Sequence, residues 1–215
     1  MIPWLNPTSR PHFPDTREAL DEPNGLLAAG GRLSVDWLLA AYRQGIFPWF
    51  GKNEPILWWS PAPRTVLFPQ RFHTSRSLAK LFRQSRYWIT RDLDFESVIR
   101  QCALPRLQQS ETWIVDEMIE AYCRMFRAGF AHSIECRDAD DQLVGGIYGI
   151  SLGRVFFGES MFSRESNTSK ICLKFLCESG DYEMIDCQMA THHLRSLGAE
   201  DIGRDEFEDC LGRWC

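Results

Sequence analysis

The stretch from Ala131 to Ser163 reads AHSIECRDADDQLVGGIYGISLGRVFFGESMFS, and its punctuation decides the fold class. Ala131 to Cys136 suits a strand. Asp138-Ala139-Asp140-Asp141 is a turn, because short acidic side chains bond their own backbone. Leu143 to Ser151 and Arg154 to Gly158 form the arms of a hairpin that turns at Leu152-Gly153. Upstream, Asp116 caps a helix to Ala128, with Glu117 in its first turn and Gly129 as its stop. Its apolar stripe is Met118, Ile119, Tyr122, Cys123 and Phe126. Downstream, Asn167 to Ser169 opens a helix to Glu178, Glu183 to Cys187 is a strand, and His192 to Ser196 is a short helix. Helix, strand, strand, strand, helix, strand is an α+β or α/β layer arrangement with a mixed, largely antiparallel sheet.

The first 63 residues differ in character. They hold nine of the 11 prolines, so short elements and ordered turns are expected there. Leu33 to Gly45 is the exception: Ser34 can cap, Trp37, Leu38 and Ala41 form a stripe, and Gly45 can stop the helix. Further on, Thr74 or Ser75 caps a helix to about Gln84, with Leu78, Leu81 and Phe82 inward. Trp88 to Thr90 is a short strand, and Asp94 caps a helix to Cys102 that Pro105 ends. The organisation expected is a Pro/Trp-rich region over 1–63, a basic segment over 64–110 that completes a small N-terminal domain, and a larger domain over 111–215. The break lies near 103–113, at Pro105 and Gln108-Gln109-Ser110.

Composition sets the outer bounds. With 215 residues, 44% hydrophobic and 13% aromatic, the chain can bury a real core and is not of the disordered class. No apolar run reaches the roughly 20 residues a bilayer span needs, and no basic segment leads into an apolar one at the N-terminus. The eight cysteines contain no C-x-x-C and no metal-ligand spacing, so reduced thiols in a cytoplasmic protein and no metal are expected. The net charge of -5 conceals a pattern. Arg64 to Arg91 holds seven of the 24 basic residues and none of the 29 acidic ones. Arg76, Lys80 and Arg83 share one helix face, which is either a solvated surface or a footprint for a phosphate backbone.

Few familiar catalytic patterns survive inspection. Gly149-Ile150-Ser151-Leu152-Gly153 matches G-x-S-x-G, but a strand follows where the nucleophile elbow needs a helix. The glycines form neither phosphate-binding loop, so no nucleotide cofactor is indicated. Glu159 sits among Phe156, Phe157, Met161 and Phe162, and is either ion-paired with Arg164 or a carboxylate at a site entrance. In Ile185-Asp186-Cys187-Gln188-Met189, alternation puts Asp186 and Gln188 on one face and Cys187 on the other. A carboxylate and an amide at a strand end can accept protons and orient a nucleophile, or merely finish the strand. His192 and His193 are expected to point away from them.

Several of these stretches together resemble the bacterial leucyl/phenylalanyl-tRNA–protein transferase family. They are Gly45-Ile46-Phe47-Pro48-Trp49, Trp58-Trp59-Ser60-Pro61, Thr112-Trp113-Ile114, Ala131-His132-Ser133-Ile134-Glu135, Phe157 to Ser163, Asn167-Thr168-Ser169-Lys170 and Ile185-Asp186-Cys187-Gln188. The resemblance runs from about Ile2 to near Leu211; the C-terminal cysteines lie outside what it explains. It implies a small N-terminal domain before an acetyltransferase-related (GNAT-like) domain that uses no acetyl-CoA or other cofactor. It implies transfer of Leu or Phe, less well Met, from aminoacyl-tRNA to the α-amine of proteins beginning with Arg or Lys, marking them for N-end rule degradation. A cytoplasmic monomer is the family's usual form.

The resemblance also casts residues in roles. Asp186 is the central catalytic residue, with Gln188 beside it and Glu159 in the same site. Trp49 and Trp113 contact the terminal adenosine and aminoacyl end. Met161, Phe175 and Ile185, with Tyr122 and Phe156, complete the aminoacyl and side-chain pocket. With a tRNA substrate implied, the cationic face of Arg76, Lys80 and Arg83 is the expected footprint for its backbone. Two rivals stand beside this reading: an acetyl-CoA-dependent N-acetyltransferase, which needs a pyrophosphate loop leading into a helix, and an RNA-binding module without chemistry.

Overall fold

The computed structural model describes residues 2–84, 86–105 and 114–215. Two sheets carry the chain. The smaller has four strands in the order β1-β2-β4-β3: β1 (Trp4–Leu5), β2 (Leu26–Gly30), β4 (Leu57–Trp59) and β3 (Phe47–Pro48). Helix α1 (Val35–Tyr42) packs beside it and buries Trp37 and Leu38 against Trp58 and Phe13. Trp58 ends its indole N–H on the carbonyl of Gly30 at 2.9 Å, so a fully buried donor keeps a partner.

The larger sheet has seven strands in the order β11-β5-β10-β9-β8-β7-β6. These are β5 (Arg64–Leu67), β6 (Trp88–Arg91), β7 (Ala131–Arg137), β8 (Leu143–Leu152), β9 (Val155–Ser163), β10 (Met184–Asp186) and β11 (Glu200–Ile202). Neighbours are antiparallel except β9 and β10, which run parallel. One face is covered by α3 (Phe95–Cys102) and α4 (Asp116–Arg127), the other by α5 (Thr168–Glu178) with α2 (Arg76–Arg83) against it. Short α6 (His192–Ser196) and α7 (Arg204–Trp214) close the chain. The α+β class with a mixed, largely antiparallel sheet follows from these pairings.

Local signals placed most helices well. Ser75 caps α2 by accepting from Leu78 N, Asp94 caps α3 through Ser97 N, and Thr191 caps α6 through Leu194 N. Asp116, expected as a cap, is instead the first residue of α4 behind Val115, where its charge still favours the helix N-terminus. The second hairpin arm runs past Gly158 to Ser163, because β8 continues to offer partners as far as Gly145. Strand β10 is shorter than expected and stops at Asp186.

The larger correction concerns the basic segment. Strands β5 and β6, expected to complete the N-terminal domain, are hydrogen-bonded members of the seven-stranded sheet. Three of the seven cations are consequently paired. Arg64 is buried against Asp186, Arg71 meets Glu200, and Arg91 meets Asp181 at 2.7 Å. Arg76, Lys80 and Arg83 are exposed and meet no acidic side chain among the described residues. Leu78 is fully buried beneath them, and Lys174 of α5 lies 5.0 Å from the Phe82 ring.

Candidate active site

Strand pairing ends where the cavity begins. β10 pairs with β9 through Asp186 opposite Phe157, and β9 continues past the end of β10 to Ser163. Beyond this point lies a cavity of about 620 Å³. Its apolar wall is Ile147, Met161, Leu173, Ile185 and Leu194. Its polar wall is Glu159, Gln188 and His193, and Phe47 and Pro48 of the smaller sheet, with Trp49 just after them, complete it.

Glu159 owes its position to a bulge. Tyr148 and Gly149, consecutive on β8, face Ser160 and Gly158 on β9, so Glu159 is the extra residue between them. Only glycine fits at 149, since a Cβ there would run into the Phe157 carbonyl and the Phe156 ring. The bulge aims the carboxylate at two fully buried tyrosines. Tyr42 donates to Oε1 at 2.7 Å and Tyr122 to Oε2 at 2.8 Å, and the two hydroxyls also touch each other. Burial raises the Glu159 carboxyl from 4.5 to about 7, against the opposing pull of both tyrosine hydrogen bonds. Burial, with Glu159 second, holds both phenols well above their ordinary 10. The alternative pairing of Glu159 with Arg164 does not occur: Arg164 donates to Gln101 at 3.0 and 2.8 Å.

Asp186 sits differently. It is fully buried, and Arg64 grips it with Nε at 2.8 Å and Nη2 at 2.7 Å. The guanidinium lies between the rings of Phe47 and Phe207, 4.9 and 4.7 Å from their centroids. Asp186 Oδ1 also accepts from Gln188 N at 3.0 Å. Gln188 has φ 57°, a left-handed conformation that non-glycine residues seldom hold without support. This turn cancels the expected alternation. Ile185, Cys187, Gln188 and Met189 line the cavity, whereas Asp186 lies behind its wall.

The expected site residues therefore divide. Glu159, Gln188, Trp49, Met161 and Ile185 share the cavity. Tyr122 is buried and reaches Glu159 rather than the open space. Phe156, opposite Ile185 and on the same face of the sheet, is fully buried beneath the cavity wall, its ring 5.3 Å from that of Tyr182. Phe175 is on an outer face of α5 and 39% exposed. Trp113 lies outside the described residues. Trp49 is held in place by Trp59, whose ring centroid is 5.4 Å away and whose N–H reaches the Trp49 carbonyl at 2.6 Å. Cys187 is no thiolate, since burial and Asp186 push its pKa up.

Three residues that shape the site escaped the sequence reading, two from behind the wall and one on it. Arg64 read as a surface cation, and only its place in β5 beside β10 gives it a partner. Tyr42 read as part of no stripe. His193, expected to point away, lines the cavity, with its pKa lowered first by burial and then by Lys170. The tandem His192-His193 just after Asp186-x-Gln188 was the available signal for it.

Comparison with known proteins adds an independent line. Residues 66–212 match the family model for leucyl/phenylalanyl-tRNA protein transferase, and residues 31–62 match its N-terminal domain model. A leucyl/phenylalanyl-tRNA–protein transferase of Pseudomonas syringae pv. syringae is 56% identical over 216 residues, covering 99% of this chain and 93% of the relative. Those of Cellvibrio japonicus and Azoarcus sp. are 54% and 55% identical, over 98% and 100% of this chain and 90% and 91% of theirs. Among solved structures, L-PGS from Bacillus licheniformis is similar at TM-score 0.40 and 10% identity, over 68% of this chain and 48% of that one.

Proposed function

The chain belongs to the leucyl/phenylalanyl-tRNA–protein transferase family, and from that premise we propose how its cavity carries out aminoacyl transfer from tRNA to protein. The observation that carries the reading is the pairing of walls: an apolar pocket of Met161, Ile147, Leu173, Ile185 and Leu194 faces Glu159 and Gln188 across one space. Leu, Phe or Met of the donor fits the apolar wall. Trp49, 37% exposed at the mouth, offers a ring face to the terminal adenosine, with Trp113 as its proposed counterpart. The acceptor, a protein beginning with Arg or Lys, brings its α-amine to Gln188 and Glu159.

The aminoacyl ester is already activated, so alignment and proton handling are what the protein adds. Gln188 orients the amine. Asp186 acts from behind the wall: held by Arg64, it anchors the Gln188 backbone in its left-handed turn. It is thus a positioning residue rather than the atom that meets the amine. The exposed face of Arg76, Lys80 and Arg83 serves the tRNA backbone; α2 packs on α5, whose Leu173 lines the cavity, so the two sites are joined by one helix pair. We read the larger domain as acetyltransferase-related, supported by the parallel β9–β10 pair that parts at the cavity. We place the enzyme in the cytoplasm as a monomer; no helix among the described residues is long and apolar enough to cross a membrane.

The acetyl-CoA reading fares worse on one detail. The N-terminus of α5, where a pyrophosphate would bind, is already served by the chain: Ser169 N donates to Ser163 Oγ at 3.0 Å. A binding module without chemistry leaves unexplained a carboxylate and a left-handed Gln188 on the same cavity wall. The test is transfer itself. Radiolabelled leucyl-tRNA is incubated with a peptide beginning with Arg and a matched one beginning with Gly. Label in the Arg peptide alone is expected; salt-dependent tRNA binding without transfer overturns the reading.

A further inference from the structure

Glu159, Tyr42 and Tyr122 form a ring of oxygens that has one proton too few when the carboxyl is ionised. Three contacts close the ring: Tyr42 Oη to Oε1 at 2.7 Å, Tyr122 Oη to Oε2 at 2.8 Å, and hydroxyl to hydroxyl. Each phenol supplies one hydrogen. With Glu159 ionised, both hydrogens go to the carboxylate and the hydroxyl pair faces oxygen to oxygen without one. A third proton, on Glu159, lets the ring close head to tail: carboxyl to Tyr42, Tyr42 to Tyr122, Tyr122 to the second carboxyl oxygen. Burial keeps both phenols protonated, so the proton that comes and goes belongs to the carboxyl. The ring is buried on its tyrosine side and open to the cavity at Glu159.

We propose that this ring, and not Asp186, is the proton acceptor of the transfer reaction, an assignment that rests on the function read above. The acceptor ammonium first loses one proton to solvent. As its nitrogen bonds to the ester carbon, Glu159 takes a second proton from it, and the ring closes. As the bond from that carbon to the ribose oxygen breaks, the ring returns the proton to the departing oxygen. The amide nitrogen keeps the third. Asp186 lacks this access, being fully buried and gripped by Arg64 through both oxygens. The charged and titratable groups around Glu159 are Tyr42 of α1, Tyr122 of α4, Tyr148 of β8, Asp186 of β10 and Arg64 of β5. His193 of α6 lines the same cavity. The Tyr148 hydroxyl is buried with no partner among the described residues and does not join the ring.

The experiment uses the full chain and two readouts. Carboxyl carbon NMR follows Glu159 through pH in the wild type, identified by its loss in Glu159→Gln. Single-turnover transfer from leucyl-tRNA to an Arg-initiated peptide is followed over the same range. The carboxyl is expected to titrate near 7. Loss of free amine alone lowers the rate about tenfold per unit below about 8, and protonation of the carboxyl is expected to steepen this to about 100-fold per unit below its midpoint; that steepening is the kinetic limb. Tyr42→Phe and Tyr122→Phe, which keep the rings, remove a donor to the carboxylate. Each also opens the ring of oxygens, and each is expected to move the NMR midpoint and to move the kinetic limb by the same amount. E159Q is expected to lose at least about 100-fold in rate at pH 8, within the range of a general base. The proposal is overturned if E159Q keeps the wild-type limb, or if the tyrosine variants move the NMR midpoint while the kinetic limb stays. Absence of wild-type transfer overturns the functional reading and this assignment with it. Transfer with an unmoved limb overturns only the assignment.

Discussion

Removing Arg64 tests the architecture of the site at its most expensive point. Its guanidinium and the Asp186 carboxylate are 1% and 0% exposed, joined by bonds of 2.8 and 2.7 Å. In Arg64→Ala, Asp186 keeps Gln188 N at 3.0 Å as a donor, but no cation. Taking one member from a buried ion pair costs about 3–5 kcal/mol, chiefly because a charge is left in a poor solvent. The rings of Phe47 and Phe207 also lose the group between them. At about 2–4 °C per kcal/mol for a chain of this length, the melting temperature drops by about 6–20 °C. The assay is urea unfolding at pH 7, followed by tryptophan fluorescence, with a double-mutant cycle. Arg64→Met combined with Asp186→Leu removes both charges and recovers most of the loss, since a buried pair seldom outperforms an apolar replacement. That double variant folds but turns over poorly, because nothing anchors Gln188. A loss below 1 kcal/mol in R64A, or singles that merely add in the double, refutes the reasoning.

The other expectations are narrower. Asp186→Asn cuts turnover well beyond tenfold while tRNA affinity stays within about twofold, measured by single turnover and filter binding; equal losses in both contradict a positioning role. Replacing Arg76, Lys80 and Arg83 by Ala weakens tRNA binding and flattens its log–log salt slope by about two to three, which a binding series at several salt concentrations reads directly. The raised Glu159 pKa makes folding retain a proton between its ordinary 4.5 and about 7. Stability from this group is therefore full below pH 4.5 and lost as pH rises through 7, a fall of about 3 kcal/mol. Denaturation curves for the wild type minus E159Q show that slope; a flat difference denies the shift. Gly149→Ala forces the bulge apart, costs about 2 kcal/mol, and lowers transfer by displacing Glu159, whereas unchanged stability would mean the bulge yields freely.

Much of this molecule is written locally. Ser75, Asp94 and Thr191 announce their helices because a cap acts within three residues. The hairpin from Leu143 and the helix from Thr168 follow from turn residues and periodicity, which are equally short-ranged. Glu159 and Gln188 could be singled out because polar groups in apolar runs demand an explanation. What they contact could not. Arg64 and Asp186 are 122 positions apart and meet only because β5 lies next to β10; by composition alone Arg64 belongs with the surface cations. Tyr42 and Tyr122, 80 positions apart, converge where α1 and α4 meet the bulge. Gln188 left the face that alternation assigned to it because a single residue at φ 57° ends the pleat. Periodicity records which face of an element is apolar; it carries no information on which element will cover that face. The charge state and exposure of a buried carboxylate depend on that second choice, and tertiary structure alone makes it.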